Sequence, residues 1–383
     1  MQAEFGRAYL NRVRDAYPEI DGRADYCVYW FGKAHDELTA GQRAGLVGTN
    51  TVRQNYSRIS GLDYIIANAG TVTEAVSTMK WSGDASVDVS IVNWKKGNES
   101  GKKRLYLQQG NDPTKGWSDE DLKTINSSLS FGQDVSSAKS INVNSESSGC
   151  FQGQTHGHDG FLLEIDEAKS LIATDKKYKD ILFPFLIDNE LTGNKDSLPE
   201  RYVIDFHPRD LFASKKYGPL IKRVEKLVLP DRAEAAQEEE DRNKEALEDN
   251  PKARVNHHHE KFLNKWWQLS WPREEMKTAI AGLPRYIVCS RVTLRPIFEF
   301  VCPSIRPNDA LSVFPLADDY SFGILQSDIH WAWFVHRCST QNGRPRYTSE
   351  MVFDSFPWPQ SPSFEAIKAV AAKAAALRCP EQA

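Results

Sequence analysis

The chain has 383 residues, with 40% hydrophobic and 26% charged side chains and a formal net charge of −4. That length holds two or three domains with cores of their own, the composition is that of an ordinary soluble globular protein, and no run approaches the roughly 18 apolar residues of a membrane span. The slight negative charge excludes neither nucleic acid nor small molecules, because phosphates respond to a local basic patch and not to the total.

In chain order, residues 1–22 read as a polar helical lead-in that closes at Tyr17-Pro18 and Asp21-Gly22. Asp25–Leu38 carries Tyr26, Tyr29, Trp30, Ala34 and Leu38 at helical spacing, and Gly41 marks its end. Ala44–Thr49 is an apolar run that suits a strand covered on both faces. A basic connector over Thr51–Ser60 leads to Leu62–Ala67, expected as a second buried strand. Val87–Trp94 alternates as a strand, with Met79–Trp81 as its hairpin partner. Together these pieces predict the back half of a doubly wound α/β sheet.

Lys95–Arg104 reads as a basic linker, and the stretch to Gly149 as loop or weak β-structure. Tyr202–Phe206 is a strand signal, Leu211–Leu229 is helical, and Arg232–Asn250 is a charge-dense helix ended by Asn250-Pro251. His257–Trp267 follows as a further helix. Tyr286–Ser290, Pro296–Val301, Leu311–Pro315 and Tyr320–Leu325 are expected strands, Ile329–His336 an aromatic helix, and Phe364–Leu377 an Ala-rich closing helix. No internal repeat is found.

Cys27, Cys150, Cys289, Cys302, Cys338 and Cys379 are scattered without a C-x-x-C pair. Neither a zinc ribbon nor a disulfide framework is implied, and most of the cysteines are expected to be buried small apolar residues in a reducing compartment. With no signal peptide in view, the expected location is the cytoplasm. His156 and His158 sit in a Gly-rich loop and His257–His259 are consecutive, but no third ligand stands at a metal-binding spacing, so they read as loop or surface histidines. The acidic run Glu234–Asp249 is interleaved with Ala, Arg and Lys and reads as a solvated helix face. The cations that suggest nucleic acid are Arg285, Arg291 and Arg295 around two strands, and Lys95, Lys96, Lys102, Lys103 and Arg104 after the first sheet. Arginine reads guanine in the major groove, and both residue types contact phosphate.

Several segments, taken together, carry a resemblance. ADYCVYWFGKAHDEL and RAGLVGTNTVRQ come first, then CFQGQTHGHDGFLL, RYVIDFHPRDLFASKKY and LPDR. WWQLSWPREEM, PRYIVCSRVTLRPIFEF, DDYSFGILQSDIHWAWF and RYTSEMVFDSFPWP follow in the same order. The chain resembles the large bacterial restriction–modification enzymes of the MmeI type, in which one polypeptide joins an adenine-N6 DNA methyltransferase to a target-recognition domain.

The resemblance implies the C-terminal half of a class I methyltransferase Rossmann-like sheet over residues 1–104. An α+β target-recognition domain would follow over 105–330, and a helical region over 331–383. It also implies that Trp81, placed before the strand Val87–Trp94, stacks on a target base flipped from the duplex. The alternative is an ordinary hairpin aromatic in the core. DNA contacts would come from Lys95, Lys96, Arg285, Arg291 and Arg295, and double-stranded DNA would be the partner. The family's cofactor is S-adenosylmethionine, yet the Gly-rich cofactor motif and the Asn-Pro-Pro-aromatic motif are both absent here, and no metal is expected. The expectation is therefore the recognition half of a site-specific adenine methyltransferase, inactive without an N-terminal half or subunit. The rival expectations are a non-catalytic DNA-binding specificity subunit and an inactive remnant.

Overall fold

A computed structural model describes residues 2–110, 112, 114–131, 135, 138–146, 149–193, 198–253, 255–341 and 344–378. The chain parts into two compact units, residues 1–138 with 339–345 and residues 139–338 with 346–383. This division falls beyond the expected boundary at 104 because two more strands complete the first sheet. The expected break at 330 is absent, because the aromatic residues after it share the second unit's core.

In the first unit, α1 (Gln2–Ala16) and α2 (Cys27–Glu37) lead into β1 (Arg43–Thr49). Val28, Phe31 and His35 share the buried face of α2, as their spacing requires. The helix stops at Glu37, and Gly41, at φ 88°, turns the chain into β1. β2 (Gly70–Lys80), β3 (Asp88–Lys96), β4 (Lys103–Gln108) and β5 (Trp117–Leu122) follow. The sheet order is β1-β3-β2-β4-β5. β3 lies antiparallel between β1 and β2, β4 is parallel to β2, and β5 is antiparallel to β4, so the sheet is mixed. β1 is an edge strand and is not covered on both faces: its burial alternates, and Val47 is 48% exposed. Phe31 stacks on fully buried Trp94 at 5.7 Å between centroids, with Val52, Val72, Val92 and Leu105 around them.

Leu62–Ala67 is not a strand. It belongs to a π turn over Ile59–Asp63 and an α-helical turn over Tyr64–Ala67. A short apolar run does not distinguish the two states by itself. Here Leu62 and Ile65, three residues apart, are both buried on the sheet while Ile66 faces outward. The expected linker after Trp94 shrinks to residues 97–102, because β3 and β4 take up its two ends.

The second unit holds two four-stranded sheets built from β6 (Phe151–Gln152), β7 (Leu162–Glu164), β8 (Leu182–Leu186), β9 (Arg201–Ile204), β10 (Tyr286–Ser290), β11 (Phe298–Val301), β12 (Arg306–Pro307) and β13 (Leu311–Phe314). One has the order β12-β8-β9-β7 and the other β11-β10-β13-β6. Its main helices are α3 (Gly218–Leu227), α4 (Leu229–Asp249), α5 (His258–Asn264), α6 (Glu274–Ile280), α7 (Asp319–Leu325), α8 (Asp328–Arg337) and α9 (Phe364–Arg378).

All five residues of β10 are buried because both faces of its sheet are covered. Ile287 and Cys289 point into one core with Phe298, Phe314, Phe334 and Tyr347. Tyr286 and Val288 point into another with Met276, Ile280 and Val313. Strand alternation thus serves two cores at once. Tyr320–Leu325, expected as a strand, lies in α7. Asp318 caps that helix by accepting the Ser321 N–H at 2.7 Å. Gly153, just after β6, lies so close to the chain entering β13 that a Cβ there would stand 2.1 Å from the Asn308 carbonyl oxygen.

Candidate nucleic-acid interface

Trp81 directly follows β2, where its N–H donates to the Val87 carbonyl at 3.0 Å and Lys80 pairs with Asp88. The hairpin that sequence alternation predicts is present, and Trp81 stands at its turn. Its side chain is 44% exposed, which excludes the core alternative. Lys95 and Lys96 lie at the far end of β3 from Trp81, opposite Thr71 and Gly70, and have partners inside the first unit. Lys95 pairs with Glu99 at 3.1 Å, and Glu99 also meets Arg43. The Lys95 hydrogen bond and the Arg43 charge hold the Glu99 carboxyl below its ordinary range. Lys96 donates to the His35 carbonyl at 3.0 Å, near the C-terminal end of α2, where a cation is favoured.

The three arginines of the second unit have different surroundings. Arg285 donates to the Ala317 carbonyl at 2.9 Å and to Asp319 at 3.0 Å, and covers the Phe300 ring at 3.7 Å. It anchors the start of α7. Arg295 lies in the exposed loop between β10 and β11, beside Leu294, which is 71% exposed, and approaches Asp328 at 3.5 Å. Arg291 is half-buried and donates from Nη1 to the Asp309 carbonyl at 2.9 Å. Burial pushes its pKa down, and the charges of Arg346 and Arg273 push the same way against Asp309.

Arg273 and Arg346 are the residues that sequence reasoning does not single out. Arg273 donates from Nε to the Gly153 carbonyl at 3.3 Å and from Nη2 to Gln152 Oε1 at 2.9 Å. Arg346 is placed by a β-bridge with Val292 and by the adjacent Tyr347 N–H, which donates to the Arg291 carbonyl at 2.6 Å. Both lie in segments quoted above, WWQLSWPREEM and RYTSEMVFDSFPWP, but nothing in either segment signals the convergence.

The histidines have local partners. His158 bonds Asp231 at 2.8 Å and accepts the Gly160 N–H, while His156 lies 3.4 Å from Asp159. His257 bonds Glu260 at 2.7 Å. Among the described residues, no cluster of three or more His, Cys, Asp or Glu is arranged to hold a metal ion. Cys150 and Cys289 are buried, Cys27 and Cys338 are half-buried and Cys302 is exposed, so fewer of the described cysteines are buried than expected, and Cys379 lies outside the described residues. No helix among the described residues is long and apolar enough to cross a membrane.

At the end of β1 the carboxylate of Asp25 accepts from the Thr49 and Thr51 hydroxyls at 2.6 and 3.0 Å, and the chain enters a helical turn at once over Asn50–Arg53.

The chain is a mixed α/β protein whose second unit holds two small sheets. The family of the MmeI target recognition domain matches residues 133–360, and the chain belongs to that family. The solved structure of the type IIL restriction-modification enzyme MmeI in complex with DNA is similar to this chain, with a TM-score of 0.75 at 19% identity. The match covers 98% of this chain and 47% of that one, so the chain spans about half the length of the enzyme it resembles, and the likeness shows the fold. The type IIG restriction endonuclease BpuSI aligns with a TM-score of 0.31 at 11% identity, over 96% of this chain and 47% of that one, too weak a likeness to carry an argument. No curated protein matches the chain.

Proposed function

We propose that the chain is the DNA-recognition part of a site-specific adenine-N6 DNA methyltransferase from a restriction–modification system. The observation that carries this is the match of the target recognition domain over residues 133–360, which covers most of the second unit. On this reading the second unit grips double-stranded DNA and sets the site. The first unit forms one wall beside the flipped adenine, with Trp81 offering its exposed ring as a stacking surface. S-adenosylmethionine is held by an N-terminal methyltransferase half or subunit that carries the Asn-Pro-Pro-aromatic motif. Catalysis then rests on positioning base and donor together.

Anisotropy with fluorescein-labelled duplexes tests the binding claim. The purified chain should bind duplex DNA with an affinity that falls as salt rises. Restoring the missing motifs by co-expressing a methyltransferase half should yield methylated adenine in one sequence context. A chain that binds no duplex would overturn the reading. A reconstituted complex that binds one sequence but never methylates would make the chain a specificity subunit alone.

A further inference from the structure

Three arginines from three separate segments come together in the second unit, where the charges of Arg273, Arg346 and Asp309 all act on Arg291. Arg291 directly follows β10, Arg273 precedes α6, and Arg346 is bridged to Val292. The carboxylate is Asp309, whose Oδ2 accepts from the Thr155 hydroxyl at 2.8 Å. Asp309 makes no salt bridge with any of the three arginines among the described residues, and neither does any other carboxylate. The three arginines outnumber the one carboxylate that acts on Arg291.

The donors are also held in place. Arg291 is fixed by the Asp309 carbonyl, and Arg273 by the Gly153 carbonyl and by Gln152, whose own amide donates to the Asp309 carbonyl at 3.1 Å. Each of these two arginines keeps a nitrogen that is unused among the described residues. Arg346 makes no side-chain hydrogen bond to any described residue. All three are half-buried and still reach solvent. Like charges at such a site repel one another, and burial together with its neighbours' charges already disfavours the charged form of Arg291. An incoming anion would relieve that repulsion.

The geometry points to a seat for a phosphodiester of the DNA backbone, formed by Arg273, Arg291 and Arg346 around Asp309. Guanidinium donors match phosphate oxygens in a fixed fork. Arg273 and Arg291, half-buried and tied to main-chain carbonyls, cannot extend far into a groove, so this seat positions the duplex and carries no sequence information. That separates it from Arg295, which stands on an exposed loop. The inference rests on the DNA reading above and adds where the backbone is held.

The test is anisotropy of the full chain with two fluorescein-labelled duplexes of unrelated sequence across a salt series, for wild type, Arg273→Gln, Arg346→Gln, Arg346→Lys and Asp309→Asn, each checked for an unchanged thermal melt. Arg273→Gln and Arg346→Gln should weaken binding to both duplexes equally and lower the salt slope by about one each. Arg346→Lys should keep the slope, and Asp309→Asn, which removes the competing charge, should tighten binding at low salt. An unchanged slope in both Gln variants overturns the seat while leaving DNA recognition intact. So does a loss confined to one duplex, which would mark base readout. Wild type that binds neither duplex removes the DNA reading and the seat with it. If one Gln variant melts early, the other and Asp309→Asn still decide.

Discussion

Arg232 and Glu239, two turns apart along α4, hold opposite ends of the same short helix, α5. The Glu239 carboxylate accepts the N–H groups of His258, His259 and Glu260 at 3.0, 2.8 and 3.1 Å. Arg232 Nη1 donates to the carbonyls of Phe262, Lys265, Trp266 and Gln268, the last at 2.9 Å. An acid at the helix start and a base at its end both match the helix dipole. Arg232 has no carboxylate partner among the described residues, and burial lowers its pKa to about 10. Arg232→Lys should cost about 2 kcal/mol in urea unfolding, because a point charge cannot reach several carbonyls at once. Equal stability of the two proteins would refute this clamp.

Glu239 adds a pH dependence. Burial alone would raise its pKa, but the three backbone N–H donors outweigh burial, and the net shift is below the ordinary value of 4.5. A depressed carboxylate contributes stability that is present above the unfolded pKa and lost as pH falls through the folded one. Glu239→Gln should therefore lower stability near neutral pH and flatten the acid limb below 4.5. Denaturation midpoints of both proteins through that range are the check.

His330 behaves differently. It is fully buried against Phe298, Tyr347 and Phe356, bonds the Tyr347 hydroxyl at 3.0 Å, and is pushed by burial to about 4 from an ordinary 6.5. Between these values the unfolded chain takes up a proton that the folded chain refuses. Stability should fall as pH drops from 6.5 toward 4, by up to about 3 kcal/mol over the window. His330→Gln removes that term, and a variant with the wild-type pH slope would contradict the assignment.

Trp81→Ala should leave stability within about 0.5 kcal/mol, since the ring stands exposed at a hairpin turn. If the ring stacks on a flipped base, methylation by the reconstituted complex should fall by roughly one to two orders of magnitude, the worth of one stacked base. Undiminished methylation would dispose of the stacking role.

Arg285→Ala and Arg295→Ala should separate support from readout. The first removes contacts to Ala317, Asp319 and Phe300, and should lower the melting temperature. The second should leave melting unchanged. If Arg295 reads a guanine, its loss relaxes specificity at one base pair by about 1–3 kcal/mol. Competition binding with single-base variants of the recognised site is the measurement.

Much of this was visible in the residues. Alternation at Val87–Trp94 and helical spacing at Asp25–Leu38 gave their elements, because each buries one face against one core. Leu62–Ala67 and Tyr320–Leu325 did not, because a short apolar run fits a strand or a buried helical turn equally well, and packing decides. The cations were harder. That Lys96 donates to the His35 carbonyl and Arg285 to the Ala317 carbonyl is not legible in the sequence, because a sequence does not show which carbonyls a folded chain leaves open. Arg273 and Arg346 are hidden for the opposite reason: far apart along the chain, they come near Arg291 only once the second unit folds.

Gly153 sets a limit on variation. The Asn308 carbonyl fills the space where any side chain would begin, so even alanine would force β6 away from β13 and displace the Arg273 contact beside it. A library meant to retarget such a protein should hold this glycine invariant and place its diversity in the exposed loop around Leu294 and Arg295. If that loop reads the bases, altered specificity can arise there without loosening the frame that presents it.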